Sequence, residues 1–91
     1  MTAHVRIPTI LRTYTDGESE VTAAGDTLSE VIDDLDANYA GIKGRILDDQ
    51  GALRRFVNVY VGNDDVRFLE NLDTATPEGT QISVIPAVAG G

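Results

Sequence analysis

The chain has no cysteine and no tryptophan. Without cysteine there is no disulfide, no thiolate nucleophile and no thiolate metal site. Histidine occurs once, as His4 near the start, and reads as an exposed strand-start residue rather than a ligand or base. Basic residues are scarce: seven, against 15 acidic ones, leave a formal charge of −8. That balance argues against nucleic acid and against anionic membrane surfaces, both of which select basic patches. It suits either simple solubility or a partner with a basic docking face. No apolar run approaches the roughly 20 residues of a membrane span, and the start lacks a signal-peptide pattern. The expectation is a cytoplasmic protein. No phosphate-cradling loop is evident, since Gly41 and Gly44 lack the spacing and the following Lys-Ser/Thr.

What is present is enough for one small domain. The 91 residues are 42% hydrophobic, which supports folding on a thin core. Val5 to Leu11 alternates as a strand, with Pro8 marking an edge or a bulge. Asp16-Gly17 signals a turn, and Ser19 to Ala23 a second strand, together a hairpin. Thr27-Leu28-Ser29-Glu30 is a capping-box sequence, in which Thr27 accepts from the Glu30 N–H while Glu30 reaches back to Thr27. Asp26 is the alternative cap. Leu28, Val31, Ile32, Leu35 and Tyr39 form one helical stripe, ending before the stop residue Gly41. Glu30, Asp33, Asp34 and Asp36 fall largely outside it and read as a solvated face. Asp33 and Asp34 are adjacent and cannot both hold one ion.

Ile42 to Leu53 is weakly patterned: Ile46 and Leu47 are core candidates, and Asp48-Asp49-Gln50-Gly51 is a turn. Lys43, Arg45, Arg54 and Arg55 suggest loop solvation with some pairing to the acidic helix, or a docking contact. Phe56 to Val61 is the strongest strand, expected to be central and covered. A short strand Val66–Phe68 follows, then a helical turn whose Leu69 and Leu72 plug the core. In the last strand Ile82 and Val84 alternate against Ser83 and Ile85, and Pro86, lacking an N–H, ends the ladder. This order predicts an α+β fold, one mixed sheet of about five strands with a helix across one face, the β-grasp or ubiquitin-like arrangement. The domain is expected over residues 1–86, with residues 87–91 an extended tail.

That tail, Ala87-Val88-Ala89-Gly90-Gly91, is the one chemical handle. Two terminal glycines arise by chance in roughly one chain in 200 at about 7% usage, so the doublet alone decides nothing. Gly90 and Gly91 lack Cβ and can enter a narrow channel. Ala87 and Ala89 keep the approach thin, and Val88 offers one apolar anchor. From Pro86 to Gly91 the chain can extend roughly 20 Å at about 3.4 Å per residue.

The sequence resembles the ubiquitin-like sulfur carriers of the MoaD/ThiS superfamily, above all the CysO-type carriers of bacterial cysteine biosynthesis. The resemblance runs through Ile7-Pro8-Thr9-Ile10-Leu11-Arg12, Gly25-Asp26-Thr27-Leu28, Asp34-Leu35-Asp36-Ala37-Asn38-Tyr39, Arg55-Phe56-Val57-Asn58-Val59-Tyr60-Val61, Asp65-Val66-Arg67-Phe68 and Ile85 to Gly91. The spacing from Gly79 through Ile82 and Val84 to Pro86 belongs to the wider superfamily; Thr80, where Asp is frequent, alters only a turn. The resemblance implies a carrier rather than an enzyme, with no cofactor of its own. A ubiquitin-activating-type enzyme would use ATP to adenylate the Gly91 carboxylate, and a sulfur donor would convert it to a thiocarboxylate. A PLP-dependent cysteine synthase using O-phosphoserine would take the sulfur through an aminoacrylate, and a metal-dependent peptidase would release cysteine. Molybdopterin, thiamine or thio-natural-product synthesis are alternative destinations. A protein modifier joined through the diglycine, or a passive interaction module, are alternative roles. Lys43 is the only lysine for self-linkage. Docking is expected on the exposed sheet face, with Phe56, Asn58, Tyr60, Phe68 and Ile85 as candidates of unassigned direction.

Overall fold

The computed structural model describes residues 1–86. Five strands form one sheet in the order β2-β1-β5-β3-β4: β1 Thr2–Arg6, β2 Glu20–Ala24, β3 Val57–Val61, β4 Asp64–Asp65 and β5 Gln81–Pro86. Helix α1 (Leu28–Asn38) packs on one face, followed by a short helix α2 (Lys43–Ile46). β1 and β5 pair in parallel at the centre, and every other neighbour is antiparallel. This is the expected β-grasp arrangement, with β5 hydrogen-bonded on both sides.

The core follows the period-two and helical patterns. Ala3, Val5, Val21, Ala23, Val57, Val59, Ile82 and Val84 point inward from the strands; Leu28, Val31, Ile32 and Leu35 meet them from α1. Burying each such Val, Leu or Ile contributes about 1.5–3 kcal/mol. Tyr39 and Leu72 are partly buried against this cluster.

Helix α1 starts through the capping chemistry read from the sequence, with one change. The Thr27 hydroxyl accepts from the Glu30 N–H at 3.4 Å, but Glu30 Oε1 accepts from the Asp26 N–H, at 2.8 Å, rather than from Thr27. Thr27 instead bridges to Ala75, and Leu28 N–H donates to the Thr74 carbonyl. The Thr76 hydroxyl closes the same corner on the Gly25 carbonyl at 2.9 Å.

Several local expectations are corrected. The first strand begins at Thr2 and stops at Arg6; Pro8, without an N–H, precedes a 3-10 turn over Thr9–Thr15 that buries Leu11 and leaves Ile10 exposed. β1 and β2 pair, but across this turn rather than a tight hairpin. Val66–Phe68 is also a 3-10 turn, because the edge ladder ends at Asp65. Leu69 is exposed and only Leu72 plugs the core. β3 is covered on one face alone, since the helices lie on one side of the sheet. Asp48 does make the expected turn, its Oδ1 accepting from the Gln50 and Ala52 N–H groups.

Candidate functional site: the root of the tail

β5 delivers the chain to its end. Its inward residues Ile82 and Val84 are buried, and Ser83 and Ile85 turn to the outer face, as the alternation predicts. Pro86 lies within the strand and pairs with Val57, so the ladder extends to the proline rather than stopping at Ile85. The residues expected to enter partner sites, Ala87, Val88, Ala89, Gly90 and the terminal Gly91, lie outside the described residues.

The outer face is resolved by register. Ile85 pairs with Asn58, Ser83 with Tyr60 and, in parallel, with Arg6. Asn58 and Tyr60 are half-buried on that face. Phe56, Phe68 and Ile85 are exposed by 53%, 87% and 46%, well above what single-domain burial requires of large apolar residues. His4 is half-buried mid-strand between Thr22 and Gln81, not at an exposed strand start.

One side chain that periodicity does not reveal organises this end. Arg67 donates from Nη1 to Asn58 Oδ1 at 2.8 Å and from Nη2 to the Arg54 and Val57 carbonyls at 2.8 and 2.9 Å. It clasps the 3-10 turn after β4 to the start of β3, beside the residue that pairs with Pro86. Asp65 caps that turn through the Arg67 N–H. The only sequence signal was the run Asp65-Val66-Arg67-Phe68 itself, whose partners sit nine or more residues away.

The helix carboxylates have structural work. Asp34 accepts from the Ala24 N–H, Asp36 Oδ1 from the Gly41 and Lys43 N–H groups, and Asp33 pairs with the Lys43 ammonium. The hydrogen bond from Lys43 to Asp33, and then the Asp33 charge, push the Lys43 pKa up from its usual 10.5. Arg45 turns instead to the Tyr14 hydroxyl, at 2.7 Å. Among the described residues no three His, Cys, Asp or Glu side chains converge as a metal site. Two concavities there, one at Ala52–Leu53 and Leu72 and one at Arg6, Arg12 and Glu20, include no residue of β3 or β5. Among the described residues no helix is long and apolar enough to cross a membrane.

Comparison with known proteins adds the context that geometry lacks. The family model described as "ThiS family" matches residues 5–91. The sulfur carrier protein CysO of Mycobacterium tuberculosis is 53% identical over 93 residues, covering 100% of both chains. Its crystal structure superposes with a TM-score of 0.91 at 51% identity, over 94% of this chain and 99% of that one. The Amycolatopsis orientalis BexX/CysO complex contains a chain matching at TM-score 0.92 and 48% identity, over 98% and 99%. Small archaeal modifier protein 3 of Haloferax volcanii is 38% identical over 65 residues, 71% of this chain and 70% of that protein.

Proposed function

Because the chain belongs to the ThiS family, we propose that it is a sulfur carrier whose Gly91 carboxylate is the working group. The observation that carries this reading is the full-length, 53% identity to a sulfur carrier protein CysO. The chain is a substrate for partner enzymes rather than a catalyst, and it acts in the cytoplasm.

The chemistry follows from the carboxylate's weakness as an electrophile. One of its oxygens attacks the α-phosphorus of ATP on an activating partner, releasing pyrophosphate and leaving an acyl-adenylate. A sulfide-level sulfur adds to the acyl carbon and AMP departs with its electron pair, leaving a thiocarboxylate. ATP is held by the partner; a PLP-dependent synthase and a metal-dependent peptidase hold the remaining cofactors. The preferred acceptor derives from O-phosphoserine and the product is cysteine, as the CysO-type likeness suggests. The crystallised complex of a CysO relative with BexX supports recognition by a partner enzyme. This chain contributes a rigid domain, a thin tail and a terminal residue without Cβ.

The test is the intact mass after incubation with ATP, an activating enzyme and a sulfur donor. Replacement of one oxygen by sulfur is expected, localised to the C-terminal peptide. Gly91→Ala is expected to fold normally and to lose the gain at least tenfold. Normal thiocarboxylate formation by that variant would overturn the steric argument. Adding O-phosphoserine and the synthase then tests the acceptor. The likeness to a small archaeal modifier protein favours a second reading, attachment to protein lysines. Isopeptide-linked conjugates without a mass gain would establish it. Chain building is disfavoured, because Lys43 is the only lysine available for self-linkage.

A further inference from the structure

The net charge and the root of the tail point in opposite directions. A partner matched to the whole chain, at −8, would be basic. Yet the carboxylates are unevenly placed. From Gln50 to Asn63 and from Gly79 to Pro86 there is none, and those stretches hold β3, β5 and the approach to β3. Three arginines bear on the same place, each held by neutral groups. Arg54 Nε donates to the Gly44 carbonyl at 2.9 Å, Arg55 lies 5.8 Å from the Phe56 ring centre, and Arg67 spans Asn58, Arg54 and Val57. Among the described residues the ion pairs are the terminal amine with Asp26 and Lys43 with Asp33. Among the described residues, therefore, no carboxylate balances any of these three guanidinium charges at contact distance. Beside them stand the exposed Phe56, Phe68 and Ile85.

We propose that the root of the tail, Phe56, Phe68 and Ile85 ringed by Arg54, Arg55 and Arg67, docks an acidic-rimmed apolar patch on a partner protein. Guanidinium groups held by neutral acceptors keep their charge. Arg67, with Nη1 and Nη2 engaged, contributes that charge, while Arg55, over the Phe56 ring, offers a planar fork that matches a carboxylate. Exposed aromatics beside arginine supply the kind of desolvated anchor that dominates interface energy. The acidic helix side repels such a partner while the root attracts it, so the field favours approach tail-first. This last consequence rests on the carrier reading; the docking surface itself does not.

Two measurements separate them. The first is an NMR titration of the isotope-labelled full chain with the peptide Glu-Glu-Phe-Leu-Glu-Glu and its lysine counterpart. Shifts are expected at Arg54–Val57, Phe68 and Ile85 with the acidic peptide only, and their loss in Arg55→Glu, with Arg55→Ala intermediate. No shifts, shifts elsewhere, equal response to the lysine peptide or persistence in Arg55→Glu would overturn the proposal. The second is kcat/KM with an activating enzyme that thiocarboxylates the wild type. Arg55→Glu is expected to lower it about tenfold, while Glu78→Lys, beside Thr2 at the opposite end of β5, changes it less than about twofold. A rise in Arg55→Glu would mean that the net charge, not the root, selects the partner. Failure of every activating enzyme on the wild type would refute the carrier reading, and the peptide titration would still decide the docking surface.

Discussion

Gly25→Ala isolates the junction between sheet and helix. A Cβ at Gly25 would lie 2.6 Å from the Val31 nitrogen and 2.8 Å from both the Glu30 carbonyl carbon and Cβ. Two of these three atoms are backbone in the first turn of α1, so no side-chain rotation relieves the clash. Nor can Gly25 retreat: its N–H donates to the Met1 carbonyl and its own carbonyl accepts from Thr76. Overpacking of this kind costs about 1–3 kcal/mol. Relief of glycine's unfolded-state entropy returns about 0.4–1 kcal/mol, and the rigid neighbours place the clash at the upper end. The net loss is then about 2 kcal/mol, or a Tm lower by about 8–16 °C for a domain of this size. Gly44 is the internal control: it sits within α2, and a Cβ there meets nothing within 4 Å. Gly44→Ala is expected to raise Tm by a few degrees through the same entropy gain and better helix propensity. Thermal unfolding by circular dichroism measures both. An unchanged or raised Tm in Gly25→Ala would refute the close-approach argument.

Ile82→Ala, at a fully buried site on the central strand, is expected to cost about 3 kcal/mol, while Ser83→Ala on the opposite face stays within about 0.5 kcal/mol; urea denaturation separates them. Asp36→Ala removes the acceptor for the Gly41 and Lys43 N–H groups and is expected to lose about 1 kcal/mol, with hydrogen exchange fastest at residues 41–43. Lys43 has a folded pKa raised above its usual 10.5, so its stabilising contribution is whole at neutral pH and is lost as pH rises through the folded value. The stability advantage of wild type over Lys43→Met should therefore shrink in strongly alkaline denaturation series; an advantage that grows with pH would contradict the pairing.

What sequence patterns disclosed was local and periodic. The Thr27–Glu30 cap and the Leu28-Val31-Ile32-Leu35 stripe define α1 because all the partners lie within one or two turns. The alternation through Ile82 and Val84 defines both the strand and its faces. Val66–Phe68 looked extended because its composition suits a strand, but whether it pairs depends on where β3's edge partner stops. Thr9 to Leu11 read as strand for the same reason: Pro8 permits an edge strand locally, and only the Asp16-Gly17 turn and the burial of Leu11 and Thr15 select the 3-10 turn over Thr9–Thr15. The Arg67 clasp is a contact with Asn58, Arg54 and Val57 that no period encodes. Gly91 lies outside the described residues and is proposed from composition and family likeness, whereas the sign of the charge around the end of β5 required the register of β3 on β5.

That register ties stability to function. β5 sends Ile82 and Val84 into the core, Ser83 and Ile85 to the outer face, and ends its described course at Pro86 opposite Val57. A one-residue slip would expose both core residues, bury Ser83 and Ile85, and displace the tail's origin by about 3.3 Å. Ladders to β1 and β3 oppose such a slip from both sides, and exposing two buried aliphatic side chains would cost about 3–6 kcal/mol. Under the proposed carrier function, a working carboxylate that has to reach a partner's site tolerates little error in where the tail starts. The hydrophobic pairing that folds the domain therefore also sets the point from which the tail is measured out, and the arginines around it can be placed only because that point is fixed.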